Sequence, residues 1–88
     1  MIDVYKAQQS VRRSGQLWAR GLYDSNVCIS VTVLGGVFIA TADTEHITEH
    51  QFRSALTRVY PDHDIRVERQ GWPKMGGYWR AEGRPKDG

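Results

Sequence analysis

Cysteine is nearly absent. Cys28 is the one thiol, so no disulfide can close within the chain, and a Cys-rich zinc fold is excluded. That economy fits a reducing compartment. No apolar run approaches the roughly 20 residues a bilayer-spanning helix needs. The opening residues, MIDVYKAQQS, lack the apolar core of a signal peptide. These absences predict a cytoplasmic protein with no membrane partner. A strong charge of either sign is also lacking. Twelve Lys and Arg face ten Asp and Glu, for a net charge of +2. A dedicated nucleic-acid binder usually carries a larger bias. No glycine pattern matches a phosphate-binding loop or a dinucleotide fingerprint, and no Ser or Thr lies in a nucleophile elbow. With no catalytic residues and no cofactor signature, the chain reads as a non-enzyme.

What is present is a compact set of local signals. Eighty-eight residues make one domain, expected over residues 1–82, with GRPKDG (83–88) as a flexible tail. In 27–42, Val27, Ile29, Val31 and Val33 alternate with Cys28, Ser30 and Thr32, which is the two-residue period of a strand. Gly35-Gly36 then forms a two-residue hairpin turn. That turn sets Val33 opposite Phe38 and Val31 opposite Ala40, so register and burial agree. Leu34, Val37 and Ile39 make the second face of the hairpin tip apolar. This predicts cover by another element, a partner, or a second copy meeting residues 34–39. Cys28 falls in mid-strand, which marks a half-buried structural thiol. Residues 16–23 read as a third strand, turning through Asp24-Ser25-Asn26. Residues 3–13 read as a short helix capped by Asp3. Asp64 to Gln70 alternates Ile65 and Val67 with charged residues, and Tyr78 to Ala81 returns as a short strand.

Residues 46–50 read H-I-T-E-H. The order H-x-x-E-H occurs in inverted zinc proteases, where one helix presents two ligands and a general base. The surrounding residues give a different reading. With Thr48 as N-cap, Gln51 falls at the third helical position and completes a capping box. Ile47 and Phe52 complete a hydrophobic staple across the same start. Glu49 lies where the helix dipole favours an acid. Phe52, Ala55, Leu56, Val59 and Tyr60 follow on one face, and Pro61 stops the helix. A helix starting at Thr48 leaves His46 outside, so His46 and His50 share no face, and no metal is expected. Asp62-His63-Asp64 reads as the turn from helix to strand.

The aromatic residues carry the functional reading. Trp18 lies near Arg12, Arg13 and Arg20. Trp72, Tyr78 and Trp79 cluster with Lys74 and Arg80. Trp, Tyr and Arg are the residues enriched at binding hot spots. Aromatics interleaved with bases also suit stacking on single-stranded nucleic acid. Two family resemblances bear on this choice. The element order α-β-β-β-α is like that of the double-stranded RNA-binding domain. Its second helix would begin with lysines to grip phosphate, whereas here it begins Thr48-Glu49-His50-Gln51. Residues 52–69, FRSALTRVYPDHDIRVER, are similar to the helix-proline-strand core of DinI-like modulators of recombinase filaments. The acidic second helix of that family has no counterpart in GRPKDG, so neither resemblance extends to an assignment.

The predicted fold is α+β. A small antiparallel sheet of 3–5 strands carries one main helix on one face, with a short N-terminal helix besides. The predicted function is a non-enzymatic interaction module that binds and regulates or inhibits a macromolecular partner, of the kind phages and mobile elements carry against host systems. A protein partner is favoured. The alternative is a nucleic-acid-binding domain using the basic and aromatic residues.

Overall fold

The computed structural model describes residues 14–71 and 76–86. The described residues form a five-stranded antiparallel sheet with one helix packed against it, an α+β fold. Strands β2 (Asn26–Leu34) and β3 (Val37–Asp43) make the expected hairpin. Val33 pairs with Phe38 and Val31 with Ala40. Gly35 and Gly36 take φ of 61° and 81°, the left-handed pair that matches the twist of a tight hairpin. Strand β1 (Gly15–Arg20) pairs antiparallel with β2, Leu17 opposite Ile29 and Ala19 opposite Val27.

Strand β1 is shorter than its alternation predicts. It stops at Arg20 because the chain turns at once: Gly21 donates its N–H to Ser25 O at 2.8 Å, and Leu22 donates to His46 O at 2.8 Å. The turn centres on Tyr23 and Asp24, with φ of 56° and 58°, rather than on Asp24-Ser25-Asn26. Two non-glycine residues in the left-handed region cost about 1–2 kcal/mol each.

Helix α1 (Glu49–Val59) begins as its sequence predicts. Thr48 Oγ1 accepts from Gln51 N–H at 3.1 Å, and Gln51 Oε1 accepts from Thr48 N–H at 3.1 Å. Ile47 and Phe52 are fully buried, so the staple closes over the first turn. After Pro61 the chain enters β4 (His63–Gln70) and returns as β5 (Tyr78–Pro85). Strand β5 inserts between β3 and β4, giving the order β1-β2-β3-β5-β4. Both neighbours run antiparallel to β5, so β3-α1-β4 is a parallel crossover split by one strand.

Strand β5 corrects the expected tail. Gly83, Arg84 and Pro85 are strand residues, paired with Ile65, Asp64 and His63. The physical reason is Gly83. It lies opposite Phe38, and the absent side chain leaves room for the Phe38 ring. The expected helix at 3–13 lies outside the described residues.

One sheet face packs on α1. Val27, Ile29, Val31, Phe38, Ala40, Ala42 and Ala81 meet Ile47, Phe52, Leu56 and Tyr60 in one core. Each large side chain fully buried here contributes about 1.5–3 kcal/mol. Phe38 stacks on Tyr60, centroids 4.1 Å apart. The opposite face is uncovered by any described residue. Among the described residues, no helix is long and apolar enough to cross a membrane.

Candidate binding surface

The residues singled out by sequence divide between the two faces. Trp79 lies on the helix side, half-buried against the core, and its indole N–H donates to Ile47 O at 2.8 Å. It ties β5 to the entry of α1 and is a structural residue. Trp18, Arg20, Tyr78 and Arg80 lie on the open face. Trp18 is 64% exposed and Tyr78 43% exposed. Arg12, Arg13, Trp72 and Lys74 lie outside the described residues.

Register brings Trp18 and Tyr78 onto one row. Trp18 pairs with Cys28, and Tyr78 pairs with Asp43. Extending the β2–β3 register by two residues sets Cys28 opposite Asp43. The two aromatics are then three strands apart, about 14 Å at the usual strand spacing. Arg80 sits between Thr41 and Glu68 on the next row. The same face carries Asp64, Arg66, Glu82 and Arg84, with Arg84 Nε 3.4 Å from Glu82 Oε2. Signs alternate across it, so its described residues form no continuous basic surface for a phosphate backbone.

The two edges of the sheet differ. The N–H of Val33 reaches Ser14 Oγ at 2.8 Å, and Gly21 N–H reaches Ser25 O. Both contacts put odd-numbered residues of β1 and β2 in the ladder between them. Backbone groups alternate in direction along a strand. Gln16, Trp18 and Arg20 therefore aim their N–H and C=O groups outward from β1. By the same alternation, Lys86 N–H on Asp62 O at 2.9 Å leaves the odd residues of β4 facing outward. There, Ile65 O accepts from Arg53 Nη1 at 3.4 Å, and charged side chains line the strand. Strand β4 is a guarded edge; among the described residues, nothing guards β1.

Beside β1 runs a groove of about 400 Å³, walled by the strand and by α1. Leu17, Ala19, Ala55 and Val59 give it an apolar floor, with His50 and Arg58 on the helix side. Among the described residues, no Asp or Glu lines it. Leu17, Arg58 and the groove were not anticipated from sequence. The available signal was Leu17 and Ala19 alternating with Trp18, beside a helix whose Ala55 and Val59 share a face.

His46 and His63 take structural posts. His46 lies outside α1, its Nδ1 3.0 Å from Asp43 Oδ2. Asp43 Oδ1 accepts Glu45 N–H at 2.8 Å. That backbone hydrogen bond, more than His46, holds the Asp43 carboxyl below its ordinary value. His63 Nε2 lies 3.0 Å from Gly36 O and Nδ1 2.9 Å from Asp62 Oδ1, with the ring 5.5 Å from Phe38 and 5.3 Å from Tyr60. The Asp62-His63-Asp64 triplet thus joins the β2–β3 turn to the start of β4. Among the described residues, no group of three or more His, Cys, Asp or Glu side chains is placed to hold a metal ion.

The described residues together define an α+β domain with an open-faced sheet, one guarded edge and one edge that no described residue pairs. No protein-family model, curated protein or solved structure matches the chain.

Proposed function

We propose that the chain is a small non-enzymatic binding module that engages a protein partner and regulates or inhibits it. One observation carries the reading. Trp18, the residue type most enriched at binding hot spots, is 64% exposed on a strand whose outer edge is unpaired among the described residues. The mixed charge of the open face favours a protein over nucleic acid. The exposure of Leu34, 82%, supports the 34–39 hairpin tip as a second contact surface, including contact between two copies.

The test is affinity capture from host lysate, with and without nuclease, using the full chain and its Trp18→Ala variant. A hot-spot tryptophan is worth about 2 kcal/mol or more, so capture should weaken roughly 30-fold in Trp18→Ala and survive nuclease. Light scattering reports self-association in parallel, beside Val37→Glu. Capture that depends on intact nucleic acid, with affinity falling about 0.9 log units per contacted phosphate for each tenfold rise in salt, would move the reading to a nucleic-acid-binding domain.

A further inference from the structure

We propose that the outer edge of β1, with the groove between β1 and α1, receives an extended acidic segment of the partner protein as a sixth strand. This rests on the protein-binding reading and specifies its geometry. Strand addition needs an exposed row of backbone donors and acceptors, and side-chain pockets at every second residue. Both are present. The N–H and C=O groups of Gln16, Trp18 and Arg20 aim outward, as the contacts at Val33 and Gly21 require. Five residues in that span give a docking length of about 13–14 Å at the usual strand rise.

An added strand would send alternate side chains into the groove, onto Leu17, Ala19, Ala55 and Val59. The intervening side chains would lie on the open face beside Trp18. Small or β-branched side chains suit a floor of that size. Charge selects the rest of the segment. Arg58 and His50 line the groove from α1, and Arg20 lines it from β1. Arg20 lies 3.9 Å from Asp24, both side chains largely in solvent, so this pair is weak and exchangeable. Arg58 has no ion pair among the described residues. A segment with a carboxylate beside its apolar positions meets that rim; a basic segment is repelled by it. The β4 edge offers no equivalent, because Arg53 occupies Ile65 O and charged side chains flank the strand.

Proline separates edge pairing from folding. The N–H of Gln16 makes no ladder bond to β2, and its side chain is exposed. Proline is tolerated at such outward edge positions, and it removes the donor an incoming strand needs. The experiment selects peptides from a random twelve-residue displayed library against the full chain. The selected peptides are then titrated against the full chain, Gln16→Ala, Gln16→Pro and Arg58→Glu, with amide exchange followed residue by residue. Selected peptides should carry acids beside alternating small or β-branched residues. They should slow exchange at Gln16, Trp18 and Arg20 and leave Val67 and Arg69 unchanged. Gln16→Pro should weaken binding at least tenfold with the fold intact by circular dichroism; Gln16→Ala should bind normally. Arg58→Glu should reject acidic peptides and accept their lysine-substituted versions.

Peptides that bind equally to Gln16→Pro, or protect only the open face, overturn the edge proposal and leave the protein-binding reading standing. A dimer lost in Gln16→Pro would make a second copy the occupant and overturn the proposed partner. Selection of no peptide, with tight binding of a labelled oligonucleotide instead, overturns both.

Discussion

Gly83→Ala tests whether packing or backbone preference governs the centre of the sheet. Glycine inside a strand costs about 0.5–1 kcal/mol relative to alanine, so preference alone predicts that the substitution stabilises. The structure predicts the reverse. Gly83 pairs with Phe38, and a Cβ built on it would lie 2.5 Å from Phe38 Cδ2 and closer still to Cε2 and Cζ. Ordinary contact begins at 3.4 Å, so the ring must retreat by roughly 1 Å or more. It has nowhere to go. Phe38 is fully buried and stacked on Tyr60 at 4.1 Å, with His63 at 5.5 Å. Overpacking costs about 1–3 kcal/mol, and a disturbed aromatic pair about 0.5–1.5 kcal/mol more. Set against the alanine preference, the net loss is about 0.5–4 kcal/mol, centred on about 2 kcal/mol. At that centre the Tm of a domain of this size falls by roughly 10–15 °C. Urea denaturation followed by tryptophan fluorescence measures it. In a Phe38→Leu background the cost of Gly83→Ala should shrink by at least about 1 kcal/mol, since neighbouring sites couple. A Gly83→Ala protein as stable as the parent would refute the packing argument.

Two other outcomes follow from backbone and charge. Tyr23→Asn combined with Asp24→Gly should stabilise the protein by about 1–2 kcal/mol in urea titration, because Asn-Gly occupies two left-handed positions with less strain; an unchanged midpoint would show that the turn stores none. Asp43 titrates below its ordinary value of 3.8, chiefly through Glu45 N–H, so its carboxylate stabilises the folded state above that pH and ceases to as pH falls through the depressed value. The stability advantage of the parent over Asp43→Asn should therefore be full near neutrality and shrink on acidification below pH 3.8; an advantage constant across that range would sink the assignment.

Local chemistry made much of the fold legible. The Gly35-Gly36 hairpin, its register, and the start of α1 at Thr48 each rest on contacts within a few residues, and the structure places all three as read. The failures were nonlocal. The end of β5 looked like a tail because GRPKDG contains two glycines, a proline and three charges, all poor strand formers. What holds Gly83 to Pro85 in the sheet is β4 on one side and the Phe38 ring above, neither visible from the segment itself. Strand β1 ended early for a similar reason: Leu22 N–H bonds His46 O, a residue far along the chain.

The candidate site was legible in its residues and not in its geometry. Trp18, Arg20, Tyr78 and Arg80 were identified by type, and Trp79 joined them only because exposure cannot be read from a Tyr-Trp-Arg run. What turns Trp18 from an exposed aromatic into part of a docking edge is strand order, and strand order was decided elsewhere. Had β4 paired with β1, closing the sheet differently, the outward groups of Gln16, Trp18 and Arg20 would be spent on a ladder. Insertion of β5 between β3 and β4 instead leaves β1 and β4 as the two edges among the described residues. The sequence does hold a trace of this result. Strand β4 carries Asp64, Arg66, Glu68 and Arg69, the charged composition that keeps an exposed edge from pairing, while β1 carries Arg20 alone. Described residues that protect one edge and leave the other unpaired beside an apolar groove and an exposed tryptophan have the means to form a strand pair at that edge. That asymmetry is why the proposed partner is placed at β1 rather than on the open face, whose charges already offset one another.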